Sequence, residues 1–316
     1  QVLVEVAWID QIDLYFLRGG RLMHQQRVGD SLPFADRPVE ARYFEVPYDF
    51  QTGTTTVLMR VLSLDPMDIP VYVMTPEQVQ QRTSMEAYTY GFVYGAIMAL
   101  LAYNFILFLR LKRARYAYYA LYLSFFIAMN MSYTGHGYWW LWSEHPVFQQ
   151  WIVLTMMLAY GLSGLAFAIS FLETKLYCPR LYRWVIVSAG AFAVLEATSI
   201  ALSSHFFGVI VAFAFALYFS VAMVVLGGVA VRRHVMSSKY FLTAALAAAS
   251  GAAITAVTVS GIVPYTVVGY RAVEIGMMVD AVLLALALAD QFRVNQEQKT
   301  RAEELARMDP LTELNN

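Results

Sequence analysis

The stretch Tyr88-Thr89-Tyr90-Gly91-Phe92-Val93-Tyr94-Gly95-Ala96-Ile97-Met98-Ala99-Leu100-Leu101-Ala102-Tyr103-Asn104-Phe105-Ile106-Leu107-Phe108-Leu109 carries no charged side chain and then meets Arg110, Lys112, Arg113 and Arg115. About 20 apolar residues wound as a helix cross the ~30 Å hydrocarbon core of a bilayer, and Lys and Arg collect in the loops that stay in the cytoplasm. The segment reads as a membrane span with a cytoplasmic exit. Six more apolar stretches follow at 116–133, 148–172, 184–202, 206–231, 240–263 and 267–289, so seven spans are expected. Basic residues recur at every second exit, with Lys175, Arg180 and Arg183 after the third span and Arg232, Arg233 and Lys239 after the fifth. The intervening loops 134–147 and 203–206 hold no Lys or Arg, and only Arg271 lies near the last. This alternation puts the segment before the first span outside and the C-terminus inside.

Composition agrees with a bilayer protein: 59% of residues are hydrophobic and 14% charged, and the mean hydropathy is +0.51. That excludes an ordinary soluble domain, and a net charge of −1 gives no reason to expect nucleic acid as a partner. Cys178, the single cysteine, can form neither an internal disulfide nor a thiolate metal site alone, and reads as a small residue near a helix end. Gln1 is followed at once by the strand-like Val2-Leu3-Val4-Glu5-Val6, with no charged n-region or apolar h-region, so the native N-terminus is expected upstream.

Residues 1–82 alternate as half-buried strands do, with Ile12, Leu14 and Phe16 on one face and Asp13 and Tyr15 on the other. Arg18-Gly19-Gly20-Arg21 reads as a hairpin, Gln51-Thr52-Gly53-Thr54 as a turn before the Val57–Leu62 strand, and Pro66 to Pro70 as a break. Five or six short strands fit an all-β sandwich. The expected organisation is a β domain at 1–82, a helical membrane domain at 83–289, a linker helix at 290–308 and the start of a further domain at 309–316.

Ionisable groups within spans are costly and therefore candidates for function. Glu196 sits mid-span and reads either as a ligand contact or proton site, or as a hydrogen-bonded lock between helices. Arg271 and Glu274 are three residues apart and can neutralise each other on one helix face. Asp280 lies ~9 Å deeper than Glu274 and ~120° around the helix, so it needs another partner. An interhelical hydrogen bond from Asn104 or Asn130 is expected, with a part in transmission as the second reading. Trp139, Trp140 and Trp142, in an outer loop dense with aromatics, read as an interfacial belt or a ligand platform, and His136 and His145 as solvated loop histidines.

Other membrane functions fit poorly. All four lysines, Lys112, Lys175, Lys239 and Lys299, fall in inner loops or the tail, which leaves no span to form a retinal Schiff base. No histidine pair sits within a span to hold haem. No broken-helix pair repeats between halves, which disfavours a transporter.

Residues 290–308 contain neither Gly nor Pro and should extend the last span as a helix of ~28 Å, whose apolar positions follow a heptad only loosely. Asp309-Pro310 then ends it. From Arg307 through Asp309-Pro310-Leu311-Thr312 to Asn316 the chain resembles the Asp-x-Leu-Thr-Gly-Leu-x-Asn opening of GGDEF domains, with Glu313 in place of the usual Gly. Upstream, Gly29-Asp30-Ser31-Leu32-Pro33-Phe34, Leu58-Met59-Arg60-Val61, Tyr90-Gly91-Phe92-Val93-Tyr94-Gly95 and Ile275-Gly276 through Asp280 to Asp290 resemble the bacterial seven-transmembrane receptors with diverse intracellular signalling modules. That resemblance implies a jelly-roll-like outer domain that takes carbohydrates or other small ligands, an inner-membrane location, and a homodimer controlled through the linker helix. It further implies an output diguanylate cyclase that makes cyclic di-GMP from GTP with Mg²⁺. Asp309, Pro310, Leu311 and Thr312 would be its hinge, and no cofactor, metal site or catalytic residue is expected in the chain itself. The alternatives are the same receptor with a degenerate GGDEF output, sensing GTP or acting as a scaffold with or without a phosphodiesterase, and a transporter using Glu196 and Asp280.

Overall fold

The computed structural model describes residues 1–307; the expected hinge at Asp309, Pro310, Leu311 and Thr312 lies outside them. Six strands open the chain: β1 Val2–Val4, β2 Gln11–Arg18, β3 Arg21–Val28, β4 Phe44–Val46, β5 Thr55–Leu62 and β6 Val71–Val73. They form two three-stranded antiparallel sheets, ordered β4-β1-β6 and β3-β2-β5. Gly19 and Gly20 both take positive φ, +54° and +76°, the geometry a two-residue hairpin turn demands. Ile12, Leu14 and Phe16 of β2 share one buried core with Val2, Val4, Phe44 and Val46 from the other sheet. Asp13, expected on the wet face, is buried as well, because Arg27 folds over it at 2.6 Å.

Ten helices follow among the described residues: α1 Pro76–Leu111, α2 Ala114–Tyr133, α3 His136–Trp140, α4 Pro146–Phe171, α5 Thr174–Tyr177, α6 Pro179–Ala201, α7 His205–Arg232, α8 Ser238–Val259, α9 Val267–Tyr270 and α10 Ala272–Arg307. The seven long ones coincide with the seven apolar stretches. Six of these are long and apolar enough to cross a membrane, and α2 is the exception. Its hydropathy is diluted by groups that it turns inward: nine of its 20 residues are buried, Tyr119, Tyr122 and Asn130 among them.

Two helices outrun their apolar stretches. A capping box starts α1 at Pro76: Gln78 N–H donates to Thr75 Oγ1 at 3.3 Å, and Thr75 N–H to Gln78 Oε1 at 3.0 Å. The polar turns between Pro76 and Tyr88 stand on top of the apolar part. At the other end, the last apolar stretch and the charged segment after it are one helix, α10.

Neighbours in the bundle run α1, α2, α4, α7, α8, α10 and back to α1, with α6 outside this ring against α7 and α4. Large apolar side chains such as Phe92, Val187, Leu217 and Leu286 point outward and are exposed, as lipid-facing residues are. α8 and α10 cross closely through small residues. A Cβ on Gly276 would lie 2.7 Å from Ala247 O, and one on Gly251 would lie 2.4 Å from Ala272 O.

The β sandwich sits on one end of the bundle, where Val259 and Tyr270 join its core and Trp8 stacks on Tyr133 and Tyr270 at 5.7 and 5.9 Å. The basic loops gather at the opposite end. There Arg115 donates to Gln291, Gln291 reaches Phe171 O and Met236 O at 3.5 and 3.4 Å, and Ser237 Oγ donates to Asp290 Oδ2 at 2.9 Å.

Candidate functional site

An extended group of charged and polar side chains lies where the sandwich meets the helices. The polar turns of α1 supply its first members. Arg82 grips Glu5, just past β1, through two hydrogen bonds of 2.8 and 2.6 Å, and Arg42, just before β4, pairs with Glu86. Glu5 and Arg42 are 1% and 7% exposed, so these are desolvated pairs for which losing one partner strands a charge.

One turn further down α1, two guanidinium groups lie over the Tyr90 ring. Arg42 sits 4.8 Å from its centroid and Arg271, at the start of α10, sits 4.0 Å away. Each places positive charge over the electron-rich face of the ring. Arg271 also donates to Thr89 Oγ1 at 2.6 Å and to Glu274 Oε2 at 2.7 Å. The expected pairing of Arg271 with Glu274 is therefore present, and it is one link of a longer chain. Glu274 Oε1 accepts from Asn130 Nδ2 of α2 at 3.3 Å, and Asn130 Oδ1 accepts from Tyr94 OH of α1 at 2.7 Å. Charge and hydrogen bonding thus run unbroken from the β domain through α1 and α2 into α10.

His136 closes the group from α3. It is buried, and so is not the solvated loop histidine that the sequence suggested, because the sandwich covers this loop. Thr134 Oγ1 lies 2.8 Å from His136 Nδ1, and since the threonine proton goes to Asn130 O at 2.6 Å, Nδ1–H is the donor to it. Burial, with Arg42 and Arg271 nearby, takes the imidazole down to about 3, so it stays neutral.

The other nominated residues stand apart from this group. Trp142 packs across Gly137 and donates to Gln149 Oε1 at 2.8 Å, Trp139 is half-buried against Trp140, and Trp140 is exposed. They shape the loop and do not converge on a cleft. Glu196 is buried on α6, outside the ring, and neither carboxyl oxygen has a hydrogen-bond partner among the described residues. The expected donors to Asp280 are corrected: Asn104 donates to its own helix at Leu100 O and Asn130 to Glu274, while Asp280 Oδ2 accepts from Tyr122 OH at 3.1 Å. The physical reason is depth, since Tyr122 lies two turns below Asn130 on α2 and its long side chain spans the gap to α10. Asp280 Oδ1 has no partner among the described residues, and Asp280 is one of the residues that line a cavity of about 230 Å³.

Gly29-Asp30 through Phe34 has a structural role. A Cβ on Gly29 would lie 2.0 Å from Asp10 O, Tyr138 OH donates to Leu32 O at 2.8 Å, and Arg37 stacks on Phe34 and Tyr138. The segment clamps α3 to the sandwich. Burial beside Asp10 and Asp65 pushes the Asp30 carboxyl up to about 8.

Sequence reading missed Glu5, Arg42, Arg82, Glu86, Thr89 and Tyr90 as a unit. Arg82 and Glu86 carried a faint signal, being opposite charges four residues apart just before an apolar run. Their partners in the β domain have no local signature.

Residues 86–291 match the family model described as 7TM diverse intracellular signalling, and residues 2–75 match the one described as 7TMR-DISM extracellular 2. Comparison with curated proteins and with solved structures gave no match.

Proposed function

The chain belongs to the 7TM diverse intracellular signalling family, and from that premise we propose a receptor that senses a small extracytoplasmic ligand and controls a diguanylate cyclase. The sandwich is the jelly-roll-like ligand module, facing outward from a bacterial inner membrane, with carbohydrate as the first class to screen. All seven long helices span the bilayer, α2 included, because its polar groups point into the bundle. Past α10 the chain enters a GGDEF domain at Asp309-Pro310-Leu311-Thr312, which joins two GTP molecules with Mg²⁺ when two copies of the receptor bring their output domains together.

One observation carries this reading. The chain of contacts Arg42, Tyr90, Arg271, Glu274 ends on a helix that continues without interruption to Arg307. A ligand that shifts the sandwich relative to α1 therefore biases a single rigid element leading to the output, which is what differential binding to two packings requires.

The test is enzymatic. Full-length receptor in lipid nanodiscs with GTP and Mg²⁺ should form cyclic di-GMP, and Arg42→Met should leave basal turnover intact while removing its response to ligand. GTP binding without turnover would replace the cyclase with a GTP-sensing output. An unchanged ligand response in Arg42→Met would overturn the relay.

A further inference from the structure

We propose that the cavity walled by the helix ring and, at its outer end, by Trp8, Asp30, Asp65 and Pro66 of the β domain is a ligand site built for a small and mostly apolar primary amine whose ammonium group donates to Asp280. The cavity lies between α2, α4, α7, α8 and α10 and measures about 230 Å³. Its space comes from α8, where Ala245, Ala248, Ala249, Ala252 and Ala256 line one wall. The spacing of three and four residues puts these methyl groups on one helix face, opposite phenylalanines of α7.

Size and polarity restrict the occupant. An apolar cavity of ~150 Å³ accepts a benzene-sized molecule, so this one has room for roughly nine heavy atoms. The walls are overwhelmingly apolar, which calls for a hydrocarbon body. The ionisable carboxylic side chains on the wall, Asp30, Asp65 and Asp280, are all acidic, and no Lys or Arg lines it. A carboxylate or phosphate ligand would find no lining counter-ion.

Asp280 supplies the anchor. It is completely buried, Tyr122 satisfies Oδ2, and Oδ1 is left without a partner among the described residues. A buried acceptor without a donor is unfavourable, and a donor arriving from the cavity removes that cost. Tyr122 and Tyr160 stack at 4.9 Å beside it, with Phe219 edge-on to Tyr160 at 5.3 Å. Carboxylate and aromatic rings together hold an ammonium group better than they hold a hydroxyl, since only the cation gains from both.

The position also gives the site a consequence. Asp280 is on α10, so an occupant acts on the helix that the outer relay acts on, from ~9 Å deeper.

The probes are 2-phenylethylamine and octylamine, each with nine heavy atoms, against 2-phenylethanol and ethylbenzene. Binding to the full chain in nanodiscs is followed by thermal shift and by saturation titration. Both amines should raise the unfolding temperature saturably, with 2-phenylethanol at least tenfold weaker. Asp280→Asn should lose at least tenfold in amine affinity while keeping that for ethylbenzene, and Ala249→Leu, which fills the cavity, should weaken all four probes. Equal affinity of amine and alcohol, an amine affinity that neither substitution changes, or the lack of any saturable shift would each overturn the proposal. Cyclic di-GMP output enters none of these measurements, so the result is independent of the proposed output.

Discussion

Replacing Tyr90 by Leu and by Phe should have opposite consequences. The Tyr90 ring is 3% exposed and carries the guanidinium groups of both Arg42 and Arg271 over it, and its hydroxyl has no hydrogen-bond partner among the described residues. Phenylalanine keeps the ring and both cation–π contacts and removes an unsatisfied oxygen, so Tyr90→Phe should be neutral or slightly stabilising, within about 0.5 kcal/mol. Leucine removes both contacts. At ~0.5–2 kcal/mol each, the loss is ~1–4 kcal/mol, or up to several hundredfold in the equilibrium between docked and undocked sandwich. Hydrogen exchange at the β1 and β2 amides reads that local opening directly. Tyr90→Leu should speed exchange there by at least tenfold, Tyr90→Phe should not, and the effects of Tyr90→Leu and Arg42→Met should be less than additive because they remove one shared contact. If Leu and Phe behave alike, the ring is not the link between the two arginines and the relay is wrong.

Three more outcomes follow from the same geometry. His136 has a folded pKa near 3 against 6.5 for the free side chain, so the unfolded chain takes up the proton first as pH falls. Stability present at neutral pH should be lost between about 6.5 and about 3, by at most ~1.4 kcal/mol per unit, and a plot of unfolding temperature against pH should be flatter in that window for His136→Gln. Gly251→Ala should destabilise by ~1–3 kcal/mol because its Cβ meets Ala272 O at 2.4 Å, whereas Gly228→Ala, with nothing within 4 Å, should not lower the unfolding temperature. Inserting one Ala after Thr300 turns everything downstream by ~100° and should change the ligand dependence of cyclic di-GMP formation; an unaltered response would argue against rotational coupling through α10.

Hydropathy made the helices legible, because a bilayer imposes length and apolarity on each segment locally. Strand alternation did the same for β2, and the Gly19-Gly20 hairpin followed from backbone sterics alone. The site was legible only in part. Arg271 and Glu274 could be paired on paper because both lie on one helix, whereas Arg42 and Tyr90 are joined by a docking of domains that no spacing encodes. Asp280 was marked as an acid within a span, yet its donor was sought among asparagines; Tyr122, which donates to it, and Tyr119, which donates to Ala281 O at 2.6 Å, both reach α10 from α2. His136 was misread for a related reason, since a loop histidine is wet only if nothing folds over the loop.

The unbroken course of α10 fixes the mechanical gearing of the molecule. From Asp280 to Arg307 the helix is about 40 Å long, so a 5° tilt pivoting at the Tyr122 contact would swing its far end by roughly 3.5 Å, more than the displacement of any side chain at the pivot. A lever of that ratio lets small rearrangements near the sandwich appear at the other end as displacements of several Å.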